Sequence, residues 1–188
     1  MEPATADRFD DVTTMLAPKK PAAVGCWCLS YRLEPRENQS LGPRERRDRM
    51  RALCGEAVSP GVLAYDAGGD VVGWAGVAPR SQLYTFEHST KIPHVDDVQA
   101  WSLWCLKVRA GHRGQGVARA LIAGAVDYAI AQGAPVVESY PVDNRGAKVD
   151  TTMAFVGTRA MFEAAGFRVV ADTSSTLAGH PRVVMRSA

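Results

Sequence analysis

The stretch Arg109–Ile122, RAGHRGQGVARALI, follows directly on the apolar run Trp101–Val108. A strand-like segment enters a loop holding Gly111, Gly114 and Gly116 with His112 and Arg113. A helical pattern follows, with Val117, Leu121, Gly124 and Tyr128 on one face. The first N–H groups of a helix have no intrahelical partner and carry the positive end of its dipole, so an anion takes them as ligands. Glycines add permissive backbone angles and a bare surface that phosphate oxygens can approach. A plain connecting turn would need neither the arginine nor both glycines between strand and helix.

Three phosphate loops compete for this stretch. A Walker loop is excluded, because no Gly-Lys-Ser/Thr follows the glycines. A dinucleotide fingerprint finds its first two glycines in Gly114 and Gly116, and Glu138 stands roughly 20 residues on, where a ribose-binding acid belongs. Arg119 then occupies the place of the third, close-packing glycine, and the lead from Val108 to Gly114 is too long for a tight turn. Arg113-Gly114-Gln115-Gly116-Val117-Ala118 resembles the Arg/Gln-x-x-Gly-x-Gly/Ala signature of the GNAT superfamily of acyl-CoA-dependent N-acyltransferases.

Working outward, Val62–Tyr65 and Val71–Ala78 read as a hairpin around Asp66-Ala67-Gly68-Gly69-Asp70. Valine, tryptophan and small residues at successive positions predict that the second strand is buried on both faces. Trp101–Val108 is the central strand, Gly114–Ala131 a helix stopped by Gly133-Ala134-Pro135, and Val136–Tyr140 a parallel strand. Ala22–Arg32 alternates as a first strand, Asp7–Leu16 reads as a short helix or ordered tail, and Asp143–Met153 is a polar loop. Ala154–Ala165 is expected to be one helix, with Phe167–Ala171 and Arg182–Met185 closing the sheet around a loop. The order is that of the GNAT fold: an α/β (α+β) architecture, a twisted mixed β-sheet with helices on both faces. The resemblance covers residues 22–188 as one domain behind an N-terminal segment, 1–21, and Met161–Phe167 is similar to the family's closing helix and Gly-Phe exit.

The 188 residues, 46% hydrophobic, suit one buried core. No apolar run reaches the ~20 residues that span a bilayer, and the N-terminus lacks a signal peptide's basic start, so a cytoplasmic protein with reduced thiols is expected. A net charge of +2 is too mild to imply nucleic acid. Arg44, Arg46, Arg47, Arg49 and Arg51 crowd one helix whose apolar stripe is Met50, Leu53, Cys54 and Ala57, so most of them face water.

The resemblance implies acetyl-CoA as co-substrate and no metal. The pantetheine arm would bond to backbone at Leu106, Lys107 and Val108, and the pyrophosphate would rest on Arg113, Gly114, Gln115, Gly116, Val117 and Ala118. It also implies an amine acceptor, on a small molecule or peptide, attacking in a ternary complex, in a protein that is monomeric or homodimeric. The chain departs from the family twice: Phe162 stands where a tyrosine acid is usual, and Phe155 where an asparagine is usual. Glu138 and Tyr140, alternating onto one face of their strand, are the substitutes expected as base and acid. Against this stand a carboxylate paired with arginine and a core tyrosine. The loop 79–99 is too long for a plain connection, and Tyr84, His88 and His94 on it are candidate acceptor contacts. Cys105 reads as a small buried hydrophobe, and Cys26-Trp27-Cys28 lacks Cys-x-x-Cys spacing for zinc. Loss of the tyrosine and asparagine keeps open an inactive acyl-CoA-binding module.

Overall fold

A computed structural model describes residues 1–20, 22–150 and 154–188. Glu2–Pro3 (β1) pairs antiparallel with Gly61–Tyr65 (β2), which turns into Val71–Pro79 (β3). The hairpin forms as its sequence predicts. Asp66 Oδ1 accepts the N–H groups of Gly68 and Asp70 at 2.9 and 3.0 Å, and Gly69 takes a φ of 85°. β3 pairs antiparallel with Trp101–Val108 (β4), and β4 pairs parallel with Val137–Ser139 (β5). Arg168–Leu177 (β6) and His180–Arg186 (β7) close a seven-stranded mixed sheet of order β1-β2-β3-β4-β5-β7-β6.

Helices cover both faces. On one, Phe9–Leu16 (α1), Pro43–Cys54 (α3, after the short α2 at Pro35–Ser40) and Tyr84–Glu87 (α4) bring Phe9, Val12, Met50 and Phe86 onto Leu63, Trp74 and Trp104. On the other, Val117–Ala131 (α5) and Arg159–Glu163 (α6) set Leu121, Ile122, Ala125 and Phe162 against Ala75, Leu103 and Leu106. β3 is buried from Val71 to Ala78, as its composition requires. Four of the five arginines of α3 are exposed; Arg46 is buried and donates to the carbonyls of Leu41 and Asn38. The Tyr65 hydroxyl donates to Asp11 Oδ2 at 2.6 Å and ties α1 to the edge of β2. Tyr65→Phe is therefore expected to lower stability by about 1–2 kcal/mol, read as a lower urea midpoint at unchanged slope.

Three expected elements differ. Ala22–Arg32 forms turns rather than a strand: Leu29 N–H bonds to Cys26 O and Arg32 N–H to Leu29 O, with Trp27 and Cys28 at φ 49° and 58°. Its burial is consecutive (Trp27, Cys28, Leu29), which a strand with one face in the core cannot provide. Ala154–Ala165 is not one helix. Gly157, at φ 74°, separates a 3₁₀ turn at Ala154–Val156 from α6, and Thr158 caps α6 through Met161 N–H. The closing strands extend far beyond the expected segments, because Ala178 and Gly179, at φ 52° and 79°, make a two-residue turn whose twist matches the strands. The end of the expected polar loop, 151–153, lies outside the described residues.

Candidate active site

Parallel pairing between β4 and β5 runs only from Trp101↔Val137 to Leu103↔Ser139, where β5 ends and β4 continues to Val108. The register with β3 passes from Val77↔Leu103 to Gly76↔Cys105 and skips Trp104, a bulge that bends β4 at the same point. A cleft of about 1080 Å³ opens there. Trp104–Val108 form one wall, and Arg113, Gly114, Gly116, Val117 and Ala118 form one end.

That end has the geometry of an anion cradle. The first bond of α5 runs from Ala120 N–H to Gly116 O at 3.0 Å, so the N–H groups of Val117, Ala118 and Arg119 precede it. Gly114 and Gly116 take φ of 74° and 82°, and a Cβ on either would meet nothing within 4 Å. Arg113 and His112 stand beside them. Of the residues expected around the donor, all but Gln115 line the cleft. The Gln115 side chain turns back and donates to Gly111 O at 2.9 Å, bracing the loop.

The opposite wall comes from Leu16 at the end of α1, from Ala17 and Pro18, from the turns at 25–31, and from Phe155 and Met161. The Tyr31 ring stacks on Phe86 with centroids 4.6 Å apart and lies 6.2 Å from the ring of Phe155. The Trp74 indole N–H donates to Cys28 Sγ at 3.2 Å. Burial pushes the Cys28 thiol up, but hydrogen bonds from Cys105 and Trp74 and the charge of Arg32 outweigh it and leave the thiol below its ordinary range. The bond to Cys28, then burial, hold Cys105 well above that range. In the sequence Ala22–Arg32 resembles an ordinary strand, and Cys26-Trp27-Cys28 stands out there only as a cysteine pair without metal spacing.

Glu138 and Tyr140 do meet, but away from the cleft, in a buried network. Glu138, 1% exposed, accepts Arg80 Nη1 and the Tyr140 hydroxyl on Oε2, both at 2.9 Å, and Arg186 Nε and Nη2 on Oε1 at 3.0 and 2.9 Å. Ser102 Oγ and the Tyr140 hydroxyl are 2.8 Å apart, and burial, then the charge of Glu138, push the phenol up. Arg80 also donates to the carbonyls of Phe86, Ile92 and Pro93, so one buried guanidinium holds the 83–95 loop in place. Arg186 extends the network to Asp96 through two bonds of 2.5 and 2.7 Å. Tyr84 and His88 stack at 4.3 Å, and His94 lies 3.3 Å from Glu87 O; none of the three lines the cleft.

A sequence model described as "Acetyltransferase (GNAT) family" matches residues 27–167. The chain belongs to the GNAT family of acetyltransferases. Two solved structures agree on the fold of this GNAT protein. One, called an acetyltransferase, gives a TM-score of 0.57 at 17% identity, over 99% of this chain and 97% of that one. A GnaT-family protein from Bordetella pertussis gives 0.57 at 16% identity, over 100% and 93%. A nourseothricin acetyltransferase matches at 20% identity and TM-score 0.40; the match spans 66% of this chain and 62% of that one. Curated proteins yield no match.

GNAT acetyltransferases normally use acetyl-CoA, and the glycine cradle, Arg113 and the open end of β4 fit such a donor. At the family's usual tyrosine position, Phe162 is fully buried edge-to-face with Phe167, with ring centroids 5.0 Å apart. At the usual asparagine position, Phe155 lines the cleft. Among the described residues no group of three or more His, Cys, Asp or Glu could hold a metal ion, and no helix is long and apolar enough to cross a membrane.

Proposed function

We propose that this GNAT protein transfers the acetyl group of acetyl-CoA to a primary amine of a small molecule or peptide, by direct attack in a ternary complex. The observation that carries the reading is that the glycine cradle and the end of β4 left unpaired on its β5 side open into one cleft. The pyrophosphate rests on backbone of Arg113–Ala118, and the pantetheine arm runs along Leu106, Lys107 and Val108. An amine held across the thioester attacks its carbonyl, the oxyanion takes backbone N–H groups of β4, and the thiolate leaves. The reading includes a cytoplasmic protein acting as a monomer or homodimer, without a metal.

In this scheme Glu138 and Tyr140 position rather than react. All four bonds that Glu138 accepts come from Arg80, Arg186 and Tyr140, which leaves its carboxylate no free site for an amine's proton. Tyr140→Phe is expected to leave the turnover number within about twofold and to cost roughly 1–2 kcal/mol of stability. A hundredfold fall in kcat in a folded variant would return Tyr140 to the chemistry.

Release of free thiol from acetyl-CoA, followed over a panel of amines, tests the activity. Amine-dependent release supports transfer. Tight acetyl-CoA binding with no release would favour a second reading, an acyl-CoA-binding module without catalysis, which draws on Phe162 and Phe155 in place of polar side chains.

A further inference from the structure

The two halves of the cleft differ in chemistry. Lys107, His112 and Arg113 stand at the donor end, whereas the other side is lined by the aromatic residues Trp27, Tyr31 and Phe155 and the sulfur-bearing Cys26, Cys28 and Met161. Among the described lining residues there is no aspartate or glutamate. In the sequence around the lining residues none occurs either: 12–33, 98–126 and 154–162 hold no aspartate or glutamate. The charged side chains that line the cleft are cationic, Lys107 and Arg113.

An ammonium entering such a chamber loses water without gaining a counter-charge, so its protonated form is disfavoured. Only the neutral amine has the lone pair that attacks a thioester, and the titratable groups facing it offer little help in reaching that form. His112 is at the donor end, Cys105 is held protonated, Cys26 Sγ pairs with Ser30 Oγ at 3.1 Å, and Cys28, though below its ordinary range, is taken up by the Trp74 N–H and by Cys105; Tyr31 is pushed up by burial, and Lys107 and Arg113 are cations. An acceptor suited to these walls arrives already neutral and has a flat apolar body.

We infer that the acceptor is a weakly basic aromatic amine, seated among Trp27, Tyr31 and Phe155. This rests on the acyl-CoA reading above. The nitrogen lone pair forms the bond to the acyl carbon as the carbon–sulfur bond breaks. Sulfur leaves with the electron pair, and the proton lost by nitrogen ends on the departing thiolate by way of water, giving an amide and free CoA. Among the described lining residues a polycationic acceptor finds no carboxylate to meet it.

The test uses the native protein with saturating acetyl-CoA and three amines: aniline, benzylamine, which has the same ring but is far more basic, and spermidine. At pH 7 kcat/KM for aniline is expected to exceed that for benzylamine by about tenfold or more, with spermidine slowest. The aniline rate should be flat from pH 6 to 9 while the benzylamine rate climbs about tenfold per pH unit. Phe155→Ala should raise KM for aniline about tenfold with acetyl-CoA affinity unchanged. Spermidine or benzylamine matching aniline at pH 7, a flat benzylamine profile, or no turnover of any of the three would overturn the inference. Calorimetry with acetyl-CoA on the same preparation separates the two levels: binding intact means that the acceptor assignment alone has failed, and binding absent means that the acyl-CoA reading has failed with it.

Discussion

Replacing Glu138 by alanine is expected to cost about 3–5 kcal/mol, the range for breaking a buried ion pair from one side. The loss should exceed that of any exposed charge in the protein, because Arg80 and Glu138 are 5% and 1% exposed and their bond is 2.9 Å. Without the carboxylate Arg80 retains three carbonyl acceptors but no counter-charge, and Arg186 retains only Asp96. Glu138→Gln keeps the shape and part of the hydrogen bonding, so it should fall between the alanine variant and the native protein. Urea unfolding followed by tryptophan fluorescence measures both. The loop 83–95 should loosen first, seen as faster amide exchange around Phe86 and Ile92. A loss under 1 kcal/mol accompanied by abolished turnover would instead give Glu138 a direct part in the chemistry.

The second large effect is on donor binding. Gly116→Val is expected to weaken acetyl-CoA binding on the order of 10- to 100-fold, which is about 1.4–2.8 kcal/mol. Gly116 caps α5 at φ 82°, a region hostile to a β-branched residue, so the loop must shift to accept valine. The new side chain would also stand where phosphate oxygens approach the first N–H groups of the helix. Nothing lies within 4 Å of the added Cβ, so the fold should survive with a loss of roughly 1–2 kcal/mol. Calorimetry and thermal unfolding on one sample separate the two effects. An unfolding temperature near native with unchanged affinity would move the pyrophosphate elsewhere.

How much of this was legible in the sequence depends on the range of the signal. Trp101–Val108, the glycines at 114 and 116, and the helix after them are specified by neighbours within a few residues, and each forms where its pattern places it. The α5 start differs by three residues, because Gly114-Gln115-Gly116 belong to the loop that Gln115 braces. Residues 22–32 were misread because polar and apolar residues alternate there without pairing to a strand. Trp27 and Cys28 adopt left-handed backbone that no local rule assigns to them. The burial of Glu138 could not be read, since its partners Arg80 and Arg186 lie 58 and 48 residues away in the chain. The break at Gly157 had a local signal, a glycine inside a helical pattern followed by a capping threonine. The wall at 16–31 had a subtler one, the absence of any acid between Val12 and Leu33.

The cleft between β4 and α5 is the proposed site of acyl-CoA. Calorimetric titration of the native protein with acetyl-CoA tests it most directly, with CoA as competitor and NAD as control. Saturable binding of one acetyl-CoA per chain is expected, displaced by CoA, weakened by added salt and unmatched by NAD. No binding of acetyl-CoA, or equal binding of NAD, would contradict it.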